Sequence, residues 1–181
     1  MLRTAYLLGC LMTICSIGAL CSGKAHVRPR PEVSTLIVTG VAAAPVSLSA
    51  ADLGKLSHRG IKAKDPGGEE IEFEVVSLGD VLKRAGMDFE SDKHGRGLTR
   101  YLLVEAADKY RVVFSLPEID PDYTDRTVCL AIKREGKPIP ADEGPFRLIV
   151  PADKRHARWV RQVRTLSIID SVPADQRNKK P

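Results

Sequence analysis

The sequence predicts an α+β fold, a β-dominated mixed-sheet domain with short helices. Most of its apolar segments are short, of strand length, and Ile71 to Val75 alternates apolar with acidic residues. Glycine and proline turn signals separate them at close intervals, and only one segment carries a strong helical pattern. The chain has 181 residues, 43% of them hydrophobic and 28% charged, a globular composition able to bury one core.

Taken in order, Val33 to Val41 reads as a strand, with Gly40 and Pro45 marking the turn after it. Ser49 opens a short helix, and Asp52 three positions on makes an approximate capping box. His58 to Lys64 forms a strand closed by Asp65-Pro66-Gly67-Gly68, and Ile71 to Val75 alternates apolar with acidic residues as a half-buried strand does. Ser77 to Gly86 is the clear helix. Ser77 caps it, Leu78, Val81, Leu82 and Ala85 make its apolar stripe, and Gly86 ends it. A polar loop spans 88–98, and Tyr101–Glu105 and Tyr110–Leu116 form a strand pair joined through Ala107-Asp108-Lys109. Thr127–Ile132, Phe146–Val150 and Val163–Ile169 are the remaining strands, with a turn at Glu135-Gly136-Lys137-Pro138. The acidic loop of Glu118, Asp120, Asp122 and Asp125 lacks the regular oxygen spacing and glycine of a calcium loop and reads as solvated.

Residues 1–25 read as a secretory signal peptide. Arg3 leads the apolar run Thr4 to Leu20, small residues follow at Ser22, Gly23 and Ala25, and cleavage after Ala25 leaves His26 as the new N-terminus. The competing reading is an uncleaved anchor, because the run approaches the shortest spanning length. Residues 26–32 form a proline-broken linker, 33–170 the domain, and 171–181 a polar, disordered tail. The expected location is therefore periplasmic or secreted, with no membrane attachment after cleavage. Cys10, Cys15 and Cys21 leave with the signal, so Cys129 alone is kept, as a small buried hydrophobe in an apolar run. Losing Arg3 and Lys24 lowers the 28 basic residues by two against 23 acidic ones, a formal net charge of +3. That is too mild to indicate nucleic acid. The cations gather late instead, at Lys154, Arg155 and Arg158 around His156, just past the apolar strand that ends at Pro151. Such a loop can grip a phosphate, and a solvated basic turn with Trp159 in the core accounts for the same residues.

The sequence contains no HExxH, CxxC, Walker loop, GxSxG or GxGxxG, and its four histidines are too far apart for a structural zinc site. Four stretches in order carry a resemblance. They are Val38-Thr39-Gly40-Val41 with Leu48-Ser49-Ala50-Ala51-Asp52-Leu53; Val76 through Gly86; Ala107-Asp108-Lys109-Tyr110; and Leu130-Ala131 through Gly136-Lys137-Pro138 and Gly144-Pro145-Phe146-Arg147-Leu148-Ile149-Val150-Pro151 to Arg158-Trp159. Together they resemble the molybdopterin-binding domain of sulfite oxidases and of the related periplasmic methionine sulfoxide reductase catalytic subunit, over roughly residues 34–170. The resemblance implies a sulfite-oxidase-like fold, a molybdopterin cofactor, and a phosphate grip in the Arg158-Trp159 region. It makes Arg155, His156, Arg158 and His58 the candidate cofactor-binding residues, with no residue assigned to metal or to catalysis.

The sequence departs from the family in three places. The stretch from Pro151 to Trp159 is about two residues shorter than in sulfite oxidases. The family's Arg-Asn-His type element near the start of the domain is missing. The cysteine that ligates molybdenum in the family has no counterpart in His58 to Asp65, so the metal is not expected to be ligated in the usual way. Two functions follow. One is a molybdopterin-dependent oxidoreductase. The other is a cofactor-free module whose partner is an anionic small molecule, a pterin or another protein. No motif identifies a redox partner.

Overall fold

The computed structural model describes residues 35–90 and 95–172. The leader, the linker and the tail beyond Val172 lie outside the described residues. Fourteen segments build the domain core. In order they are β1 (Thr35–Thr39), β2 (Val46–Ser49), α1 (Ala50–Leu53), β3 (His58–Lys64), β4 (Glu70–Ser77), α2 (Leu78–Arg84), β5 (Arg100–Ala106), β6 (Arg111–Ser115), the 3-10 turn Leu116–Glu118, β7 (Cys129–Arg134), β8 (Lys137–Pro138), β9 (Arg147–Ile149), the 3-10 turn His156–Arg158 and β10 (Val163–Asp170). A further 3-10 turn, Gly95–Thr99, ends the loop before β5.

Two sheets result. The first runs β2-β1-β10-β5-β6, antiparallel except where β1 lies parallel to β10, and the second runs β3-β4-β7-β8 with β9 also paired to β7. The buried core draws on both sheets and on α2, including Leu36, Val38, Phe73, Val75, Leu78, Leu82, Phe114, Leu130, Leu148 and Leu166. This is the β-dominated architecture with short helices that the pattern predicts.

The local chemistry explains the boundaries. β1 stops at Gly40, whose φ is +79°. A Cβ there would lie 2.1 Å from the carbonyl oxygen of Ile168, so glycine is required both by conformation and by space. β2 escapes the pattern because its four residues follow Pro45 directly, yet Leu48 is buried and the strand pairs with Thr35 to Val38 of β1. The capping box at α1 forms as read: Ser49 Oγ accepts from the Asp52 amide at 3.2 Å, and Asp52 accepts from the Ser49 amide at 3.1 Å. Ser77 departs from its expected role. It has extended N-cap geometry but no side-chain capping bond, and the Leu78 amide donates to the Val128 carbonyl at 2.9 Å instead. The same contact holds Thr127 and Val128 outside β7, which starts two residues later than the apolar run suggests. Glu135 and Gly136 both adopt positive φ, the geometry that closes a two-residue hairpin between β7 and β8. Asp120 corrects the reading of a wholly solvated acidic loop, since it is only 4% exposed and accepts from the Asp122 amide.

Candidate functional site

The second sheet sets the site by its register. Arg59 faces Val75, Val75 faces Ala131, and Ser77 faces Cys129, so these side chains share one face. Val75, Ala131 and Cys129 are fully buried, while Arg59 sits on the edge strand β3 and is exposed. The loop after the 3-10 turn at 116–118 folds over this face, and between them lie two adjoining cavities. The first, about 260 Å³, is lined by Arg59, Ser77, Thr124, Asp125, Arg126 and Thr127 with apolar backing from Ile119, Pro121 and Val128. The second, about 480 Å³, is lined by Arg59, Ile61, Lys62, Asp125, Arg126, Thr127, Cys129, Pro151 and Ala152. Arg59, Asp125, Arg126 and Thr127 belong to both, so the two form one cleft with a hydroxyl-rich end and a more apolar end.

The cleft is cationic. Arg59, Lys62 and Arg126 form no ion pair with any described residue, against the single acid Asp125. The lining thus carries three cations, Arg59, Lys62 and Arg126, against one acid. Unpaired guanidinium groups converging with hydroxyls on a cavity are suited to an anion such as a phosphate. Cys129 lies in the wall of the larger end. Burial pushes its thiol up, and the neighbouring Arg59 guanidinium opposes that only in part. The thiol is therefore held in its neutral form.

The four residues singled out from the sequence are not gathered into this cleft. Arg158 donates to both Asp153 oxygens, at 2.8 and 2.7 Å, and to Glu118 at 3.3 Å, and its guanidinium lies 4.7 Å from the Phe114 ring centroid. The Asp153 hydrogen bond holds its pKa above the ordinary arginine value. His156 Nε2 meets the Lys64 carbonyl at 2.8 Å, and its ring packs edge-on to Trp159 at 4.5 Å. Arg155 is exposed on the loop between β9 and β10, which His156 ties to the end of β3. His58 lines a separate cavity behind the sheet. Trp159, in contrast, lies as expected beside the strand ending at Pro151, 7% exposed, with its indole Nε1 donating to the Val150 carbonyl at 3.0 Å. Tyr110 of the third stretch ties down the same loop by donating to the Ala157 carbonyl at 2.7 Å.

Sequence reasoning missed Arg126, and it reads Arg59, next to His58, as either an exposed strand edge or a residue able to reach a pterin. They meet only through the pairing of β3 with β4 and the return of loop 119–128. It also missed Glu143 and Arg147. Arg147, 1% exposed, is held by Glu143 Oε2 at 2.5 Å between the rings of Phe73 and Trp159. Arg134 and Arg161 approach the same carboxylate at 3.3 and 3.9 Å. This cluster fixes the turn that leads into β9 and faces no cleft cation.

No curated protein sequence matches the chain. Among solved structures it is similar to a chain of the sulfane dehydrogenase SoxCD from Paracoccus pantotrophus, with a TM-score of 0.57 and 23% identity. The match covers 81% of this chain and 41% of that one, so this chain spans about two fifths of the length of that relative. The likeness is one of fold. The family model described as the oxidoreductase molybdopterin binding domain matches residues 57–176, which include β3 through β10 and every residue lining the cleft, and the chain belongs to that family.

Proposed function

We propose that the domain binds an organic phosphate of the molybdopterin class in the cleft between β3 and loop 119–128, without ligating molybdenum through a thiolate. The observation that carries this is the pair of adjoining cavities that share Arg59 and Arg126. The smaller end, with Ser77, Thr124 and Thr127 beside both arginines, suits a phosphate; the larger, with Ile61, Pro151 and Ala152, suits a flat ring. The family typically binds such a cofactor, which when it carries its metal supplies oxygen-atom and two-electron transfer. The anionic part of the cofactor fits these residues. For the metal, His58 to Asp65, where the family's cysteine lies, offers no thiol, and Cys129, the only cysteine among the described residues, lies on a different strand. The domain therefore acts as a binding module rather than as a turning-over oxidoreductase. The proposal includes export, on the strength of the apolar run behind Arg3.

Protein purified from its native compartment tests this. Oxidative release should yield pterin fluorescence in proportion to protein, elemental analysis should find molybdenum well below one per chain, and N-terminal sequencing should begin at or near His26. Arg126→Ala should weaken retention by about 1.5–3 kcal/mol, the usual value of a hydrogen bond to a charged group. Arg158→Ala should leave pterin content unchanged, since its donors are already engaged by Asp153 and Glu118. Loss of pterin in Arg158→Ala but not in Arg126→Ala would return the phosphate grip to the loop 151–159. One molybdenum per chain would overturn the metal half of the proposal, and absence of any pterin would leave the anionic-ligand module without this cofactor.

A further inference from the structure

The second sheet carries a cavity on its other face. His58, Val76 and Leu130 are in register there, as are Gly60, Glu74 and Lys133, on the side opposite Arg59, Val75 and Ala131. A β-bulge produces part of this arrangement. Val75 pairs with Ala131 and Glu74 with Lys133, so Ile132 is the extra residue. Without it Lys133 would point to the cleft side; with it, both Ile132 and Lys133 reach the same cavity. The space measures about 410 Å³. Its walls are Ala50, Gly54, Ile132, Pro138, Ile139, Pro145 and Phe146, and its polar groups are Glu74, Lys133 and His58.

We propose that this cavity is a second, independent binding site, for a small uncharged ring compound bearing one carbonyl-type hydrogen-bond acceptor. The charge balance of the lining selects that class. Lys133 Nζ contacts both Glu74 oxygens, at 2.9 and 3.1 Å, so the pair is neutral as a unit. An ammonium has three protons, and two are used, which leaves one donor for a ligand. His58 Nδ1 lies 3.1 Å from the Leu56 carbonyl and so carries the ring proton. Its Nε2 stands 3.6 Å from the same Glu74 carboxylate that holds Lys133. A charged ligand would add an unmatched charge beside seven largely apolar walls, or would have to break the Glu74–Lys133 pair. A neutral acceptor receives a hydrogen bond from the third ammonium N–H and leaves the pair intact. The volume is ample for a one- or two-ring molecule.

Three isosteres separate the possibilities: benzamide, benzoate and benzylammonium, each titrated against the full-length protein and followed by amide chemical shifts. Benzamide should saturate with shifts centred on Ile132, Lys133 and Phe146, about tenfold tighter than either charged analogue, the ratio expected for one unmatched interaction. Ala50 is exposed at the rim, so Ala50→Trp should fill the mouth without disturbing the core and should abolish the shifts. Lys133→Met should weaken benzamide about tenfold at unchanged fold, the loss of one hydrogen bond to a charged donor. Tighter binding of either charged analogue, shifts that survive Ala50→Trp, or no saturation by benzamide would each overturn the proposal. None of these readouts involves the cleft on the opposite face, so the outcome is independent of pterin content.

Discussion

Glu143→Ala is expected to destabilise the domain by about 3–5 kcal/mol, the usual consequence of removing one partner from a buried ion pair. Arg147 is 1% exposed and its guanidinium is 5.6 and 5.7 Å from the ring centroids of Phe73 and Trp159. Burial draws its pKa down, and Glu143 is the group that holds it up. Arginine does not shed its proton at ordinary pH, so the variant would keep a buried charge with no counterion. Its Nε already lacks a hydrogen-bond partner, which leaves no local reserve to absorb the loss. Arg134 and Arg161 would lose the same carboxylate and repel Arg147 further. Urea unfolding followed by circular dichroism measures the change. The second variant is decisive: Arg147→Met in the Glu143→Ala background should recover most of the loss, because an apolar side chain of similar length packs between the two rings without a charge. A loss below about 1 kcal/mol, or no recovery in the double variant, would mean that the pair is solvated in the native state.

The same cluster marks where sequence reading reaches its limit. Strands and turns were legible because their signals are local. Asp65-Pro66-Gly67-Gly68 announces the β3–β4 turn, the Ser49–Asp52 box announces α1, and Leu78, Val81 and Leu82 announce the buried face of α2. Charge pairing is not local. Arg158 reads as an available cation beside Lys154 and Arg155, yet Asp153 five residues back and Glu118 forty residues back occupy its fork. Arg126 carries no signal in the sequence, and Arg59 reads as either an exposed strand edge or a pterin contact, yet β-pairing and one returning loop bring both to a single cleft. A cationic run along the chain says how much charge is present. Which cation keeps a free donor depends on acids that the fold brings in from elsewhere.

Trp159→Ala should cost about 3–5 kcal/mol, the range for truncating a large buried aromatic side chain, and should also loosen the cleft. The indole is 7% exposed, donates to the Val150 carbonyl at 3.0 Å, and meets Phe73 edge-on at 6.4 Å and His156 at 4.5 Å. Val150 immediately precedes Pro151 and Ala152, which form the wall at the larger end of the cleft. The indole thus anchors the chain where that wall begins. Truncation removes the anchor, one hydrogen bond and one face of the Arg147 sandwich together. Trp159→Phe keeps a ring against Phe73 and Arg147 but loses the donor. It should fall between the wild type and alanine, with the Val150 carbonyl left to find another partner. Because Trp159 is the single tryptophan, far-UV circular dichroism rather than fluorescence must follow unfolding. Retention of pterin should fall in the order wild type, Trp159→Phe, Trp159→Ala at temperatures where all three remain folded. Equal retention in all three would show that the wall at Pro151 and Ala152 contributes nothing to the bound ligand, and would confine the site to the arginine end of the cleft.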